Sequence, residues 1–500
     1  MSHRYRILLA ALSGLLFAIS IIFIVLPFSF VAFVPLLIAI NKLNLKKALF
    51  TGFISGVSTG LFTSFWMLES LSSFAGMPTA ISVYLFAVLL IGLMMTLGTL
   101  ILYPFMNSRL PIIAKSIGIA SIWTLFEFSI CNLVPGSFWF HPNLYKGVLK
   151  SGLLLQVAVF GGGLLISFFC AWINALLALF LLDKRKQSLI WLIVVLGSYI
   201  GLCYTAKLAY PLNTSPETAK VALINANHPL HMQWNESTGD QVVREMLQLN
   251  KEAYATQSQL QIWTESIVPW SFRKDDDLVL EILKNPEHHK TGHIIGLLTD
   301  HSTDNFYNSA YYIEDINGPV QRYDKQYPLM YSEAPVTLFS IPLFSSPGFN
   351  IIPGRQDIIF NTLAGKAGIT ICNEALVDKV FYQLPAKGAE FLVVISNDGW
   401  IANSYLLQQH FYSSRLHAVE SRRDLLINSN LGYSGAFNGM GQELVKAKEE
   451  AGFVRTVSIS KNKQLTFYSK NYYFFLYVYL LFTVLLLTIL FIQKKQKKAI

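Results

Sequence analysis

The chain has 500 residues, of which 53% are hydrophobic and only 14% charged, with a formal net charge of +9. Ordinary soluble domains carry about a quarter charged residues, so a purely water-soluble globular protein is excluded. The excess positive charge lies beside apolar runs, as topology signals do, and gives no reason to expect nucleic acid as a partner.

A hydrocarbon core is crossed by about 20 apolar residues. Runs near 7–26, 28–41, 50–68, 80–106, 111–130, 152–182, 188–206 and 472–493 predict eight transmembrane helices. The second run is short and is expected either to pair with the first as a tight helical hairpin or to tilt. The first has no small-residue cleavage site behind it and reads as an uncleaved helix.

Arg4 and Arg6, then Lys42, Lys46 and Lys47, then Arg109 and Lys115, then Lys184, Arg185 and Lys186, and finally Lys494, Lys495, Lys497 and Lys498 mark alternate ends of these runs. Lys and Arg are retained on the cytoplasmic side, so both termini are expected there. The expected organisation is seven spans in 1–210, an extracytoplasmic domain in 211–468, and an eighth span with a basic tail in 469–500. In a double-membraned bacterium the domain would be periplasmic and the membrane the inner one. Glu127 in the fifth run is a functional candidate, because intramembrane acids are costly. The aromatic loop 136–142 reads as a substrate-facing platform or an interfacial aromatic belt.

From residue 211 strands and helices alternate, which indicates an α/β domain. Strand signals fall at 220–226, 260–264, 293–299, 309–314, 367–372, 390–396, 425–430, 434–438 and 452–459, and helical patterns at 239–257, 274–284, 375–384 and 405–423. The stretch 327–353 is apolar, aromatic and weakly periodic, and is expected either to form a lid that reaches lipid or to pack on the domain.

Cys372 is the one cysteine of this soluble part. It ends the strand-like run Ala367–Ile371, and a free thiol in an oxidising compartment is a liability unless it is used. A thiol attacks an acyl carbon as thiolate and needs a base or an electropositive setting. Glu265, after the apolar run Leu260–Thr264, is the candidate base, and Lys325, after Arg322–Asp324, the candidate oxyanion stabiliser. The four cysteines make no disulfide framework, the histidines lack metal-ligand spacing, and no Gly-rich phosphate loop occurs. No metal and no cofactor are expected.

The Glu265, Lys325, Cys372 order resembles the nitrilase, or carbon-nitrogen hydrolase, superfamily. The run Phe391–Trp400 is similar to its post-cysteine strand and loop, and Gln409, His410, Arg415, Ala418, Glu420, Arg423, Asn430, Gly432 and Ser434 continue the likeness. Eight spans around such a domain resemble the apolipoprotein N-acyltransferase family. The resemblance implies an αββα sandwich and a Glu-Lys-Cys triad. It also implies acyl transfer from a phospholipid, through the enzyme cysteine, to the α-amine of a diacylglyceryl-cysteine on an apolipoprotein. A monomer is expected. It further implies supporting roles for Glu333, Glu374 and Trp234, and a structural one for Asn308. Departures are Asn373 where the family has an aromatic residue, Thr264 in place of Pro, and Tyr331-Ser332 before Glu333; they bear on the shape of the acyl pocket. The competing readings are a membrane-tethered amidase acting on a small amide and an inactive lipid-binding scaffold.

Overall fold

The computed structural model describes residues 1–499 apart from 134–138, 140, 213–216, 230–234, 285–286, 288, 331, 339–340, 345–349 and 357. The chain forms two compact units, one of residues 1–133, 139–209 and 471–500, the other chiefly 210–470.

In the first unit α1 (His3–Phe23), α2 (Leu26–Ser29), α3 (Val34–Ile40), α4 (Leu45–Thr63), α5 (Trp66–Ala75), α6 (Met77–Met106), α7 (Ile112–Leu133), α8 (Ala158–Asp183) and α9 (Lys186–Ala209) are joined by a last helix, Phe474–Ala499. Among the described residues six helices are long and apolar enough to cross a membrane, and a seventh span arises if α4 and α5, bent by 51°, are one. The expected second span is different: it is two short helices, with Pro27 and Pro35 at their first turns. Proline lacks the N–H that would continue a helix from the preceding turn. The Arg6 guanidinium nevertheless donates to the carbonyls of Ala39 and Asn41, at 2.6 and 2.7 Å. The segment therefore returns the chain to the end of α1 from which it started, as a broken hairpin.

Other ends gather at the same place. Asn107, after α6, accepts from the Lys42 N–H at 2.8 Å, and Tyr103 donates to the Leu43 carbonyl. Lys42, Lys115, Asp183 and Arg185 are close enough to interact electrostatically. Basic loops separated by long stretches of sequence thus share one end of the unit.

Packing between these helices relies on small residues, as lipid offers no hydrophobic drive for helix association. Gly52, Gly56 and Gly60 recur every fourth position along α4, and a Cβ at Gly56 would come 2.5 Å from the Ile91 carbonyl of α6. Glu127 Oε1 accepts from Trp123 Nε1 at 2.7 Å and from the Leu144 N–H at 2.9 Å. Glu127 therefore holds the loop Leu144–Val148 against α7.

The second unit contains β1 (Thr218–Asn225), β2 (Leu260–Ile262), β3 (Gly292–Ser302), β4 (Asn305–Ile313), β5 (Gln321–Asp324), the hairpin β6 (Val336–Leu338) and β7 (Ile341–Phe344), and β8 (Asn350–Ile351). It continues with β9 (Ile359–Thr362), β10 (Gly365–Ile371), β11 (Phe391–Asn397), β12 (Leu425–Asn430), β13 (Ser434–Phe437), β14 (Glu443–Ala447) and β15 (Phe453–Ser460). One sheet has the order β15-β1-β2-β3-β4-β5 with β8 beside β4; the other has the order β14-β13-β12-β11-β10-β9. The central pairs β1/β2, β2/β3, β10/β11 and β11/β12 are parallel, as is β4/β8, and the other pairs are antiparallel.

Inward side chains of both sheets, including Val221, Leu223, Ile262, Ile294, Ile369, Ile371, Val393 and Ile395, form one core. The outer face of the first sheet packs on α10 (Glu236–Ala255) and α11 (Asp277–Leu283) through Ile224, Met246, Leu249, Ile282 and Ile295. On the other sheet α12 (Asp378–Ala386) and α13 (Leu406–Ser421) cover the outer face. The layers are α, β, β, α. Asn428 Nδ2 donates to the carbonyls of Ile224 and Ile262, both at 2.8 Å, and so ties the two sheets together where the parallel strands end.

Candidate active site

The carboxyl ends of β2, β5 and β10 carry the predicted chemistry. Glu265 follows β2, Lys325 follows β5 and Cys372 follows β10. Glu265 sits on a segment that crosses β3 at close range: a Cβ at Gly296 would lie 2.5 Å from the Thr264 carbonyl and 2.6 Å from Glu265 Cα. Lys325 is fixed by its N–H to the Asn308 carbonyl at 2.9 Å and by the Gly354 N–H to its own carbonyl at 2.8 Å.

The three side chains are 4%, 1% and 3% exposed, so water does little to screen them. Lys325 Nζ lies 3.2 Å from Glu265 Oε1 and 2.9 and 2.7 Å from the two oxygens of Glu333. Asn308 Nδ2 donates to Glu265 Oε1 at 2.7 Å and to Glu333 Oε1 at 3.0 Å. The Asn397 N–H, at the end of β11, donates to Glu265 Oε2 at 2.7 Å, and the Leu329 N–H to Glu333 Oε2 at 2.6 Å. Two carboxylates thus share one ammonium, and neutral donors make up the remainder. A buried ion cluster persists only when its spare lone pairs are satisfied in this way.

Cys372 has φ +56°, in the left-handed region that a side chain makes costly, and Ser266 and Leu431 near the other strand ends share the trait. Such strain clusters at functional sites. Burial, then the Glu265 carboxylate, push the Cys372 thiol well above its ordinary range, while Lys325 pulls the other way. Burial likewise raises the Glu265 carboxyl, against the opposing pull of Lys325. Burial disfavours the Lys325 ammonium, but Cys372, Glu265 and Glu333 outweigh it and hold Lys325 charged. Burial thus favours the neutral thiol and the neutral Glu265 carboxyl, while the acidic neighbours favour the charged form of Lys325.

Glu374 does something different. Its oxygens accept from Tyr323 Oη at 2.9 Å, from the Gln326 N–H at 2.7 Å, from the Tyr327 N–H at 3.3 Å and from the Ile371 N–H at 2.7 Å. It clamps the strand end carrying Lys325 to the strand end carrying Cys372. Asn373 is fully buried and its Nδ2 donates to the Tyr327 carbonyl at 2.9 Å, which adds a second tie between the same segments. Trp234 and Tyr331 lie outside the described residues.

Two contributors had no part in the charged site expected from the sequence. Asn308, expected to be structural, belongs to the charged cluster itself. His410 Nε2–H donates to the Cys372 carbonyl at 2.9 Å, and its other ring nitrogen donates to Asp398. Asp378, His417 and Glu420 bring three potential ligand atoms within 4.8 Å of one another. His417 already uses both ring nitrogens, toward Glu420 at 2.7 Å and the Ala375 carbonyl at 3.1 Å, and the former is a hydrogen-bond separation.

Comparison with known proteins gives two family matches, a carbon-nitrogen hydrolase domain over residues 220–430 and an apolipoprotein N-acyltransferase N-terminal domain over residues 13–176. The apolipoprotein N-acyltransferase of Geobacter metallireducens is 26% identical over 462 residues, which are 88% of this chain and 86% of that one. That of Thermotoga maritima is 25% identical over 483 residues, 94% and 91% of the two chains. A solved carbon-nitrogen hydrolase from Helicobacter pylori aligns with 48% of this chain and 89% of its own, at 16% identity and a TM-score of 0.37. With one match in the helical unit, the other in the sandwich that carries Glu265, Lys325 and Cys372, and relatives alike over nearly the full length, the chain belongs to the apolipoprotein N-acyltransferase family.

Proposed function

We propose that this membrane-bound chain N-acylates apolipoproteins by a ping-pong route through a Cys372 thioester. Glu265 takes the thiol proton as Cys372 attacks an ester carbonyl of a membrane phospholipid. Lys325 stabilises the oxyanion, Glu265 returns the proton to the departing glycerol oxygen, and a lysophospholipid leaves. The α-amine of a diacylglyceryl-cysteine then attacks the thioester while Glu265 accepts its proton; the amide forms and the thiol is restored. Glu333 holds Lys325 in register, and Glu374 and Asn373 hold the two strand ends together.

The observation that carries this reading is the buried cluster in which Lys325 lies between Glu265 and Glu333 beside a cysteine in a left-handed turn. The same cluster would serve an amidase, and exclusion of water decides between the two outcomes. On this reading the membrane is the cytoplasmic one, the sandwich faces away from the cytoplasm, and a single copy holds the whole triad.

Intact mass spectrometry of the protein in phospholipid, wild type beside Cys372→Ser, tests the reading. The expected result is a fatty-acyl increment on the wild type alone, removed by neutral hydroxylamine and by an amine acceptor. Rapid release of free fatty acid with no acyl-enzyme and no transfer would favour the amidase instead.

A further inference from the structure

The left-handed turn at Cys372 costs free energy and persists only if its surroundings over-determine it. Glu374 holds the turn from the side of Lys325. The opposite side is held from α13, by two buried histidines seven residues, or two helical turns, apart on one face. His410 Nε2–H donates to the carbonyl of Cys372 at 2.9 Å, and His417 Nε2–H to the carbonyl of Ala375 at 3.1 Å.

Each imidazole is braced by a carboxyl group on its far edge. His410 Nδ1 lies 2.9 Å from both oxygens of Asp398, which also accepts from Ser396 Oγ. His417 Nδ1 lies 2.7 Å from Glu420 Oε2, and the Phe381 ring stacks on the imidazole at 3.9 Å. An imidazole suits this task, because its two nitrogens sit on opposite edges of a rigid ring and can link a carboxyl group to a carbonyl.

We propose that His410 and His417 are positioning residues that grip both ends of the nucleophile turn, and that His410 sets the direction of the Cys372 thiol. The thiol leaves the backbone at the residue whose carbonyl His410 holds, so a shift of that carbonyl moves Sγ relative to Glu265. His417 acts three residues farther on and has the smaller effect. The proposal rests on Cys372 being the nucleophile.

The test uses the full chain in phospholipid. It follows both the rate of acyl-enzyme formation and the rate at which iodoacetamide alkylates Cys372, the latter read on the Cys372 peptide. His410→Ala is expected to slow both by about 10- to 100-fold, the penalty of a small misplacement of reacting groups, with the KM for the donor little changed. His410→Gln, whose amide can still donate to the carbonyl, recovers most of the rate, and His417→Ala loses less than His410→Ala. Wild-type rates per folded molecule in His410→Ala overturn the proposal. Should that variant not fold, Asp398→Asn, which keeps the size but removes the charge bracing the ring, carries the same expectation, and a wild-type alkylation rate overturns it. A wild-type protein that never acylates would defeat the transferase reading alone, since alkylation still judges the two histidines.

Discussion

A carboxylate is a better proton acceptor the higher its proton affinity, and burial raises that of Glu265. On the proposed route, as pH falls Glu265 takes a proton from solvent and can no longer take one from Cys372. The rate of acyl-enzyme formation therefore rises with pH along a limb displaced above the ordinary glutamate value of 4.5. A rate profile with its acid limb at or below 4.5 would contradict this. Glu374 supports a prediction of opposite character. Burial pushes its carboxyl up to about 7, yet every group aimed at its oxygens is a donor. Glu374→Gln is nearly isosteric but turns one acceptor into a donor that faces N–H or O–H groups. It should cost about 1–3 kcal/mol, read as a lower melting temperature with loss of acyl-enzyme. An unchanged melting temperature would show that the clamp contributes little. That Glu265, Lys325 and Cys372 each follow a strand was readable from the sequence. The parts played by Asn308 and His410 were not, because what distinguishes them from ordinary buried polar residues is a partner far away in sequence.

Elements with strong periodicity were the readable ones. The apolar runs that became β1, β3, β10, β11 and β12 lie within a few residues of their expected bounds, since buried parallel strands are continuously hydrophobic. Short outer strands such as β9 and β14 escaped, because an edge strand such as β9 is only half buried and its pattern is diluted by polar residues. The helical pattern expected from Ala375 begins instead as a tight 3-10 turn over Cys372–Leu376, with α12 starting at Asp378; hydrophobic spacing does not report a change of turn type. In the membrane unit the glycine series of α4 belongs to this scale. Gly56→Leu must force α4 away from α6, since even a Cβ there would meet the Ile91 carbonyl at 2.5 Å. Overpacking of this kind costs about 1–3 kcal/mol. A lower thermal midpoint in detergent is expected for Gly56→Leu, and a smaller loss for Gly56→Ala. Equal stability of Gly56→Leu and wild type would mean that the helices are not held at this contact.

For the molecule as a whole, the issue that composition left open is how many times the chain crosses the bilayer, since 28–41 is too short to span as a single straight helix. An odd number would place the termini on opposite sides; an even number places them together. Arg6 reaching Ala39 and Asn41 makes the segment a return path, and the contacts of Asn107 and Tyr103 with residues 42–43 bring the end of α6 to the same level. Lys115, Asp183 and Arg185 join them there. The basic loops thus meet at one end of the unit as a matter of geometry, independently of the charge rule that suggested it. Positive charge is retained in the cytoplasm, so on the proposed orientation that end is the cytoplasmic one. Short epitope tags placed at the N-terminus, after Leu43, after Arg109, after Arg185 and at the C-terminus should all be reached by antibody only once the cytoplasmic face is opened. A tag after Leu43 that is accessible from outside while the N-terminus is not would mean that the 26–40 segment does not return, and would put the two termini on opposite sides of the bilayer.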